Sequence, residues 1–381
     1  MRILFDFMSL QGSINGGAEY TRRVLDEVLQ KKYESYFEIY ALYNSKESFI
    51  NHEDNAYKND INKWVDINQY TTISDVIKYN SINTFFIGIF QRYMKYNLSG
   101  INCKSIVVIH DIASVEIQNS KLYLLKPESI TERLKTKTKS FISLIFKRYR
   151  EFDNDFESHS YFLLNPNTNI VTVSHFSHNS IKYNVPYLKD KSINVFYSPL
   201  RKTASPVAEP QVQTLIEEGY KYFLILSAGR WLKNADMALE VIGRFVIEHP
   251  DYYVVTTGLK DSRFQNHIAL SYVDDNKLSY ILKNAVALIY PTLMEGFGYP
   301  PLECMQYGVP VFSSGMASLP EVLGDAAIEF SPFYKCELYD KLNLFLNMNM
   351  DMLRKRALKQ YEIVKSKQES DLEALIKLII Q

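Results

Sequence analysis

Two glutamates flank a turn rich in glycine and proline within "PTLMEGFGYPPLECMQYGVPV", residues 291–311. Glu295 begins the turn, Gly296 and Gly298 free backbone amides within it, and Glu303 is predicted to lie in the first turn of the helix that follows. A carboxylate at the start of such a helix can accept hydrogen bonds from both hydroxyls of a ribose, while the glycine amides face phosphate or sugar oxygens. A favourable interaction with the helix dipole would explain Glu303 alone, but not the whole set.

Two further loops carry glycine at the start of a predicted helix. In "SAGRWLKN", residues 227–234, Arg230 and Lys233 are spaced to reach one group. The pair suits a diphosphate and the charge that develops on it as it leaves; the alternative is ordinary surface charge before a helix. Gly16 and Gly17 open the helix after the first strand, where backbone amides and the positive helix end favour an anion. This loop lacks the dinucleotide spacing and the Walker lysine, so it is weak evidence by itself.

Short apolar runs typical of buried parallel strands must position these loops. In the first half of the chain they occupy residues 2–7, 37–43, 84–90, 105–110 and 169–174. In the second half they occupy residues 222–229, 252–258, 268–272, 285–291, 309–314 and 326–330. Helical patterns such as residues 16–32 separate them. The two series predict two doubly wound α/β domains, and because such sheets bind ligands at the carboxyl ends of their strands, the domains are expected to face each other across a cleft.

The domain boundaries follow from length and composition. A chain of 381 residues fits two domains, since single cores usually stop growing near ~250–300 residues. We expect an N-terminal Rossmann-like domain at 1–198, a linker at 199–213, a C-terminal Rossmann-like domain at 214–360 and a final helix at 361–381 that packs back across the junction. The linker prediction rests on three prolines and the absence of an apolar period between residues 198 and 213.

Composition excludes several classes of protein. The 43 basic and 43 acidic residues balance to a formal net charge of zero, so no overall field attracts nucleic acid. The cysteines, Cys103, Cys304 and Cys336, match no metal-binding spacing and favour a reducing compartment. No apolar run approaches the ~20 residues needed to span a bilayer, and the N-terminal run is too short for a secretory signal. We therefore expect a cytoplasmic protein without a metal.

One segment suggests contact with a surface. Residues 133–150, "RLKTKTKSFISLIFKRYR", contain seven Lys or Arg, no acid and an apolar centre. A basic amphipathic segment of this kind can lie in the interface of an anionic membrane. The other interpretation is a solvated helix that packs on its own domain through the apolar centre. The sequence does not separate the two.

The motif "EGFGYPPLE" followed by "YGVPV" resembles the glutamate-x7-glutamate motif of retaining GT-B glycosyltransferases, particularly those of family 4, the glycosyl transferases group 1. The segments "GGAEYTRRV", "VIHD", "VTVSHFS", "SAGRWLKN" and "SLPEVLGDAAIEFSP" are similar to other parts of that family, so the resemblance covers nearly the whole chain. It implies the GT-B fold, with an N-terminal acceptor-binding Rossmann-like domain at 1–198 and a C-terminal nucleotide-sugar-binding Rossmann-like domain at 214–360. The loop that carries Lys233 is one residue shorter than its common form in the family.

The resemblance also implies roles for individual residues. In the C-terminal half, the implied donor-binding residues, besides the candidate catalytic residue Glu295, are Arg230, Lys233, Phe297, Gly298 and Glu303.

Arg230 and Lys233 would hold the diphosphate and Glu303 the ribose. Glu295 would hold the donor sugar together with the amides of Phe297 and Gly298.

In the N-terminal half the resemblance implies that Gly16 and Gly17 touch the diphosphate. His110, at the end of "SIVVIH", would lie beside the donor sugar near its anomeric carbon. We assign it a positioning role rather than that of a base. His110 and Glu295 are thus the candidate catalytic residues.

The activity that the resemblance implies is retaining transfer of a hexose from a UDP- or GDP-linked sugar to a glycan or lipid-linked acceptor, without a metal or other cofactor. Surface polysaccharide synthesis, as of O-antigen, capsule or exopolysaccharide, in the cytoplasm or at the inner face of the cell membrane, is the expected setting. Two alternatives stay open: a GT-B sugar-nucleotide epimerase, and a catalytically silent binding subunit of a polysaccharide assembly complex. The sequence selects neither the nucleotide, the sugar, the acceptor nor the linkage.

Other enzyme classes are disfavoured. A metal-dependent GT-A transferase needs a DxD motif at a strand end, and the triplet at residues 153–155 lies instead in a charged polar stretch. A dehydrogenase is disfavoured because neither glycine loop has the dinucleotide fingerprint.

Overall fold

The structure is a computed structural model that describes residues 1–12, 15–32, 36–47, 57–126 and 156–381. These residues form two compact units. The first takes in the described parts of Met1–Glu116, Glu128–Arg201 and Lys367–Gln381, and the second those of Ile117–Pro127 and Lys202–Ser366. The basic segment 133–150 and the triplet at 153–155 lie outside the described residues, so what we expect of them stays a prediction.

The first unit is built on parallel strands. They are β1 (Arg2–Asp6), β2 (Glu38–Tyr43), β3 (Lys63–Asp66), β4 (Thr84–Ile87), β5 (Lys104–Val108), β6 (Thr168–Thr172) and β7 (Ile193–Val195). They form a seven-stranded sheet in the order β3-β2-β1-β4-β5-β6-β7, with every neighbouring pair parallel. The central strand β1 is buried along nearly its whole length, as expected for a parallel sheet covered on both faces.

Helices follow the strands of this sheet. They are α1 (Gly16–Lys32), α2 (Ile73–Tyr79), α3 (Ala113–Asn119), α4 (Ser160–Leu164) and α5 (His175–Asn184). Helix α1 has the predicted bounds, because Val24, Leu25 and Val28 repeat at helical spacing and are buried. Lysines occupy its last turn, where a positive charge favours the helix dipole.

The second unit is also built on a parallel sheet. Its strands are β8 (Lys221–Ile225), β9 (Tyr252–Thr257), β10 (His267–Leu270), β11 (Ala287–Tyr290), β12 (Val311–Ser313) and β13 (Ala327–Glu329). They form a parallel six-stranded sheet in the order β10-β9-β8-β11-β12-β13. All six lie where the sequence predicted strands.

The helices of the second half are α6 (Pro210–Glu217), α7 (Ala235–Glu248), α8 (Asp275–Asn284), α9 (Tyr299–Met305), α10 (Leu319–Leu323), α11 (Lys335–Phe345) and α12 (Met350–Ile380). Helix α6 begins inside the segment predicted as linker. The Glu209 side chain accepts a hydrogen bond from the Val212 amide at 3.0 Å, and Pro210 takes the first helical position, where its missing N–H costs nothing. No helix of the described ranges combines the length and apolarity that a membrane crossing requires.

Both sheets have a point where the direction of winding reverses. In the first, the chain adds β2 and β3 on one side of β1 and then returns to its other side with β4. In the second, β9 and β10 lie on one side of β8, and β11 lies on the other. Ligands of open α/β sheets bind at such switch points, beyond the carboxyl ends of the strands. The loops after β1, β4, β8 and β11 are therefore the places to look for a site.

Candidate functional site

Tyr290 ends β11 at the switch point of the second sheet and is 1% exposed. The Lys233 ammonium donates a hydrogen bond to its hydroxyl at 2.5 Å and lies 4.6 Å from the centre of its ring. The same ammonium forms an ion pair with Glu295 Oε1. Lys233 is only 6% exposed, so its charge is held inside the unit by a carboxylate, a phenol and an aromatic face.

Glu295 accepts hydrogen bonds from other side chains besides Lys233. Thr292 Oγ1 lies 2.9 Å from the same carboxylate oxygen, and the Tyr290 hydroxyl hydrogen-bonds to the carboxylate. An ionised carboxylate is an acceptor with several lone pairs, so donors from three side chains can be satisfied together. The group is therefore fixed in direction.

The loop after β11 is tied to its surroundings by Ser318. Its hydroxyl lies 3.1 Å from the Glu295 carbonyl oxygen and 3.0 Å from that of Phe297. Gly298 has φ of 101°, a left-handed conformation, and a Cβ there would lie 2.7 Å from Leu319 Cδ2. A side chain at this position is disfavoured by both backbone and space. The glycine is thus what allows the turn to end directly at helix α9.

Glu303 does not lie in the first helical turn as predicted. Helix α9 begins at Tyr299, with Gly298 as its N-cap, so Glu303 lies one turn further along. Pro300 and Pro301 were read as part of the turn, but proline is tolerated at the first positions of a helix because their amides have no partner within it. Glu303 is half-buried.

The charged residues of these loops gather around one hydroxyl. Burial raises the pKa of Tyr290, the charges of Glu295 and Glu303 raise it further, and that of Arg230 lowers it. Arg230, Lys233, Glu295 and Glu303 therefore all act on the end of β11. Of the two predicted cations, Lys233 is buried within the unit and Arg230 is exposed at its surface.

Close packing of glycines positions the loop of Arg230. A Cβ on Gly229 would lie 2.5 Å from the Gly258 carbonyl oxygen in the loop after β9. Since that atom is backbone, no side-chain movement would relieve the contact. Ala228 also donates its amide to the Thr257 carbonyl oxygen at 2.7 Å. The loops after β8 and β9 are thereby held together, and Arg230 follows directly.

Asp6 ends β1 at the switch point of the first sheet and is completely buried. Its carboxylate accepts hydrogen bonds from the Ser9 and Gly88 amides at 2.9 Å and from the Tyr93 hydroxyl at 2.7 Å. Burial raises the pKa of Asp6, and the hydrogen bonds from Ser9, Tyr93 and Gly88 oppose the rise. This carboxylate ties the loops after β1 and β4 to each other.

His110 lies beyond the end of β5 and is half-buried. Its Nε2 donates to the Gly88 carbonyl oxygen at 2.9 Å, and its ring meets that of Tyr20 edge to face, with the centroids 4.8 Å apart. Burial lowers the pKa of His110, although the bond to Gly88 and the charge of Asp111 oppose this. The imidazole is therefore neutral near pH 7, with the proton on Nε2 and the lone pair on Nδ1.

Helix α1 begins close to His110. Asn15 Oδ1 accepts from the Ala18 amide at 3.0 Å and caps the helix ahead of Gly16 and Gly17. Asn15 and Gly17 share a cavity of about 360 Å³ with the loops after β4 and β5. Its lining is Asn15, Gly17, Ile89, Gln91, Arg92, His110 and Asp111.

The predicted site residues fall into two groups, one in each unit. In the first unit it brings Gly16, Gly17 and His110 together. In the second unit it brings together Arg230, Lys233, Glu295, Phe297, Gly298 and Glu303. Among the residues that the structure describes, no three His, Cys, Asp or Glu side chains gather as they would around a metal ion.

Sequence reasoning missed Asp6, Asn15, Gly88, Tyr290 and Thr292. Two of them carried a signal: Asp6 is the one acid in an otherwise apolar strand, and Tyr290 is a polar tip at the end of another. A polar group at the carboxyl end of a buried parallel strand is a candidate for contact with a site. Gly88 had no such signal, because its partner Asp6 is 82 residues away in the sequence.

Residues 208–362 match the family model described as Glycosyl transferases group 1. O-antigen chain mannosyltransferase B of Escherichia coli is 49% identical over 63 residues, 16% of either chain. O-antigen chain mannosyltransferase RfbU of Salmonella typhimurium is 40% identical over 60 residues, 16% of this chain and 17% of that protein. The matched segments thus span about a sixth of the length of these relatives.

Likeness to solved structures extends over the whole chain. Sucrose-phosphate synthase from Thermosynechococcus elongatus superposes with a TM-score of 0.69 at 12% sequence identity, over 99% of this chain and 98% of that one. At this identity the likeness shows the fold alone. The fold class predicted from the sequence, two Rossmann-like parallel-sheet units of GT-B type, is confirmed.

Proposed function

We propose that this protein is a retaining glycosyltransferase that moves a hexose from a nucleotide-diphosphate sugar to a glycan or lipid-linked acceptor. The observation that carries the proposal is the grouping of Arg230, Lys233, Glu295 and Glu303 around the Tyr290 hydroxyl at the switch point of the second sheet. It lies within the part of the chain that matches the glycosyl transferases group 1. Two cations and two directed carboxylates suit a ligand with both a diphosphate and hydroxyls.

Each residue has a distinct part in the proposed donor complex. The exposed Arg230 guanidinium binds the diphosphate, and Lys233 contributes the N–H that it does not donate to Tyr290 or Glu295. Glu303 accepts the ribose hydroxyls. Glu295 accepts hydroxyls of the sugar, beside the amides of Phe297 and Gly298.

The first unit supplies the remaining groups. The amides of Gly16 and Gly17 at the start of α1 face the diphosphate. The neutral His110, with its Nε2 proton held by Gly88, presents Nδ1 as an acceptor for a sugar hydroxyl near the anomeric carbon. The residue is thus a positioning group, and Glu295 acts in the same sense from its own unit.

The proposed reaction follows from these roles. The bond between the anomeric carbon and the diphosphate oxygen breaks, and the acceptor oxygen forms a new bond on the same face of the sugar. The acceptor proton passes to the leaving diphosphate, whose developing charge Arg230 stabilises. No metal is required for this charge balance, because the cations of the chain supply it.

The relatives support a choice of sugar and setting. Both are named as mannosyltransferases of O-antigen chains, so we propose mannose as the hexose and a surface polysaccharide as the product. We also propose that the protein works in the cytoplasm, at a membrane-linked acceptor. Segment 133–150 is the hypothesis for membrane contact. Replacing its lysines at 135, 137 and 139 by glutamate would weaken binding to anionic vesicles, and unchanged binding would remove that hypothesis.

The test is transfer by the full-length chain. It is incubated with UDP-, GDP- or ADP-linked mannose or glucose and a mannose-terminated oligosaccharide, and the anomeric configuration of the product is read by NMR. We expect mannose transfer with retention, undiminished by a metal chelator. Glu303→Ala should abolish turnover or raise the donor KM, whereas Glu240→Ala, an exposed helix glutamate of the same unit, should not.

Other outcomes would select the alternatives. Epimerised or hydrolysed nucleotide sugar in the absence of acceptor would indicate an epimerase. Tight donor binding with no turnover on any acceptor would indicate a silent binding subunit. Full activity of Glu303→Ala would remove the proposal.

A further inference from the structure

The Lys233 ammonium is occupied by groups of its own unit. Of its three N–H donors, one is donated to the Tyr290 hydroxyl at 2.5 Å and one to Glu295 Oε1. Its remaining surroundings include the face of the Tyr290 ring. A lysine that served only to bind phosphate would be expected at the surface, as Arg230 is, rather than enclosed. The enclosure calls for a role within the site.

Tyr290 is the group that closes this arrangement. Its hydroxyl accepts from Lys233 and hydrogen-bonds to Glu295, so phenol, ammonium and carboxylate form a closed ring of contacts. The strand β11 holds the phenol rigidly, because the side chain is almost completely buried. The other members sit on loops, so their directions depend on the phenol.

We propose that Tyr290 is a positioning residue of the donor site, whose hydroxyl locks the Lys233 ammonium against Glu295 and so directs the Glu295 carboxylate at the sugar. This rests on the proposed function, because it is the donor sugar that Glu295 addresses. Recognition of the donor is thereby divided. Arg230 holds the diphosphate with the remaining N–H of Lys233, and the ring of Tyr290, Lys233 and Glu295 directs the Glu295 carboxylate that holds the sugar.

Because the diphosphate and the sugar are held by different groups, removing the Tyr290 hydroxyl should affect binding of the sugar rather than of the nucleotide. Without the hydroxyl, the ammonium loses an acceptor and the carboxylate loses a donor, so Glu295 can rotate within the loop. The phenyl ring still fills the core, and Arg230 is not displaced. Affinity for the sugar-free nucleotide should persist, while the extra affinity that the sugar provides should fall.

The ability of the Tyr290 hydroxyl to donate a hydrogen bond does not depend on pH in the range of an ordinary assay. Lys233, Glu295, Arg230 and Glu303 all act on it, and burial is the largest effect. Together they raise the pKa of Tyr290 well above its ordinary value. The phenol therefore keeps its proton throughout the range of an ordinary assay and remains able to donate to Glu295.

The experiment compares Tyr290→Phe with Tyr222→Phe. Tyr222 is a matched control: it is also 1% exposed, lies on β8 of the same sheet, and donates its hydroxyl to the Ile281 carbonyl oxygen at 2.6 Å, away from the site. Calorimetry measures Kd for the nucleotide diphosphate and for its mannose conjugate, using whichever of UDP, GDP and ADP the wild type binds. Thermal unfolding of each variant reports on folding.

We expect Tyr290→Phe to bind the sugar-free nucleotide within about 3-fold of the wild type but to lose about 10-fold of the gain in affinity from the sugar, with kcat falling at least as much. Tyr222→Phe should keep both affinities even where its Tm falls. Thr292→Val removes another donor to Glu295 without altering β11 and should reproduce the loss, which keeps the test decisive if Tyr290→Phe does not fold.

Two results would overturn the inference. If Tyr290→Phe, or Thr292→Val where the first cannot be made, keeps the full gain in affinity from the sugar, Tyr290 does not position Glu295 while the proposed function stands. If the wild type binds no nucleotide sugar at all, the proposed function fails and takes the inference with it.

Discussion

The two switch points hold their loops by different means. At the first, the buried carboxylate of Asp6 accepts hydrogen bonds from backbone amides and a phenol, all of them uncharged. At the second, the carboxylate of Glu295 is paired with the ammonium of Lys233. Both carboxylates follow a central strand of their sheet, and both organise the adjacent loop. The Asp6 carboxylate holds the adjacent loops together. The Glu295 carboxylate instead forms an ion pair, and a bound ligand can alter the balance of charge in that pair.

This contrast explains where charge is available for a substrate. Around Asp6 the donors are uncharged backbone amides and hydroxyls, which tie the loops after β1 and β4 together. Around Tyr290 two cations and two carboxylates lie together. The charges that act on one strand end are thus grouped at the second switch point, whereas Asp6 at the first is held by uncharged donors.

Replacing the structural anchor should have the largest effect. Asp6→Asn replaces one carboxylate oxygen by NH₂, which then faces either the Ser9 amide, a donor to Oδ1, or the Gly88 amide, a donor to Oδ2, and leaves donors unpaired in the core. The free energy of unfolding should fall by about 4 kcal/mol, since each unsatisfied buried group costs roughly 1–3 kcal/mol. Urea unfolding measures it.

The control for this change is Asp66→Asn. Asp66 also ends a strand of the first sheet and accepts from backbone amides, but it lies on β3 at the edge of the sheet. Its replacement should cost clearly less. Equal losses for the two variants would contradict the special position of Asp6.

The paired cations give the next largest effect. Lys233→Met leaves Glu295 without its counter-ion in a sheltered place, so the free energy of unfolding should fall by about 3 kcal/mol. Arg230→Met removes an exposed charge and should change stability by less than about 0.5 kcal/mol, yet weaken nucleotide diphosphate binding about 10-fold. Thermal unfolding and calorimetry on both variants measure the difference. Equal stability losses, or a stable Lys233→Met, would sink the distinction between an enclosed and an exposed cation.

A third effect tests how closely α1 approaches the loop after β4. In Gly88→Ala the new Cβ would lie 2.1 Å from Thr21 Oγ1, so one element must move. We expect a loss of about 2 kcal/mol in the free energy of unfolding. The double variant Gly88→Ala/Thr21→Ala should recover part of it, because the obstructing atoms are gone; strict additivity of the two changes would argue against the contact.

The smallest effect is a dependence of stability on pH. Burial lowers the pKa of His110 in the folded protein below its ordinary value near 6.5. The unfolded chain therefore binds the proton more readily, and stability present above about pH 6.5 is lost as the pH falls towards the folded pKa. Between pH 7.5 and 5.5 the wild type should lose up to about 1 kcal/mol more than His110→Gln.

The variant His110→Gln differs from the wild type in no other titratable group, so the difference between the two slopes reports on position 110. His267, whose pKa burial and then Arg263 lower to about 4, is present in every variant and cancels from the comparison. Parallel slopes for wild type and His110→Gln would show that His110 is not the buried imidazole described.

Much of the fold could be predicted because its strands are buried on both faces. The apolar runs at the centres of both sheets and the helical spacing of α1 are visible in the sequence. Strands β3 and β7 were missed. They form the two edges of the first sheet, are short, and are partly exposed, so "KWVD" and "INV" make no apolar run.

The site was predictable in its members but not in its contacts. The motif residues placed Arg230, Lys233 and Glu295 in the loops after β8 and β11, where they are, whereas Glu303 lies beyond the first turn of α9. That Lys233 is enclosed could not be foreseen, because its partners Tyr290 and Glu295 lie 57 and 62 residues further along the chain. The start of α9 was misplaced because proline marks both a turn and the first turn of a helix.

The proposed donor site requires that the chain bind a nucleotide-diphosphate sugar through Glu303. Calorimetry with the full-length chain and with Glu303→Ala, against the mannose conjugates of UDP, GDP and ADP, measures it. We expect saturable binding of one conjugate by the wild type, and at least 10-fold weaker binding by Glu303→Ala at an unchanged Tm, a difference of about 1.4 kcal/mol. No binding of any conjugate, or equal affinity of the two proteins, would contradict it.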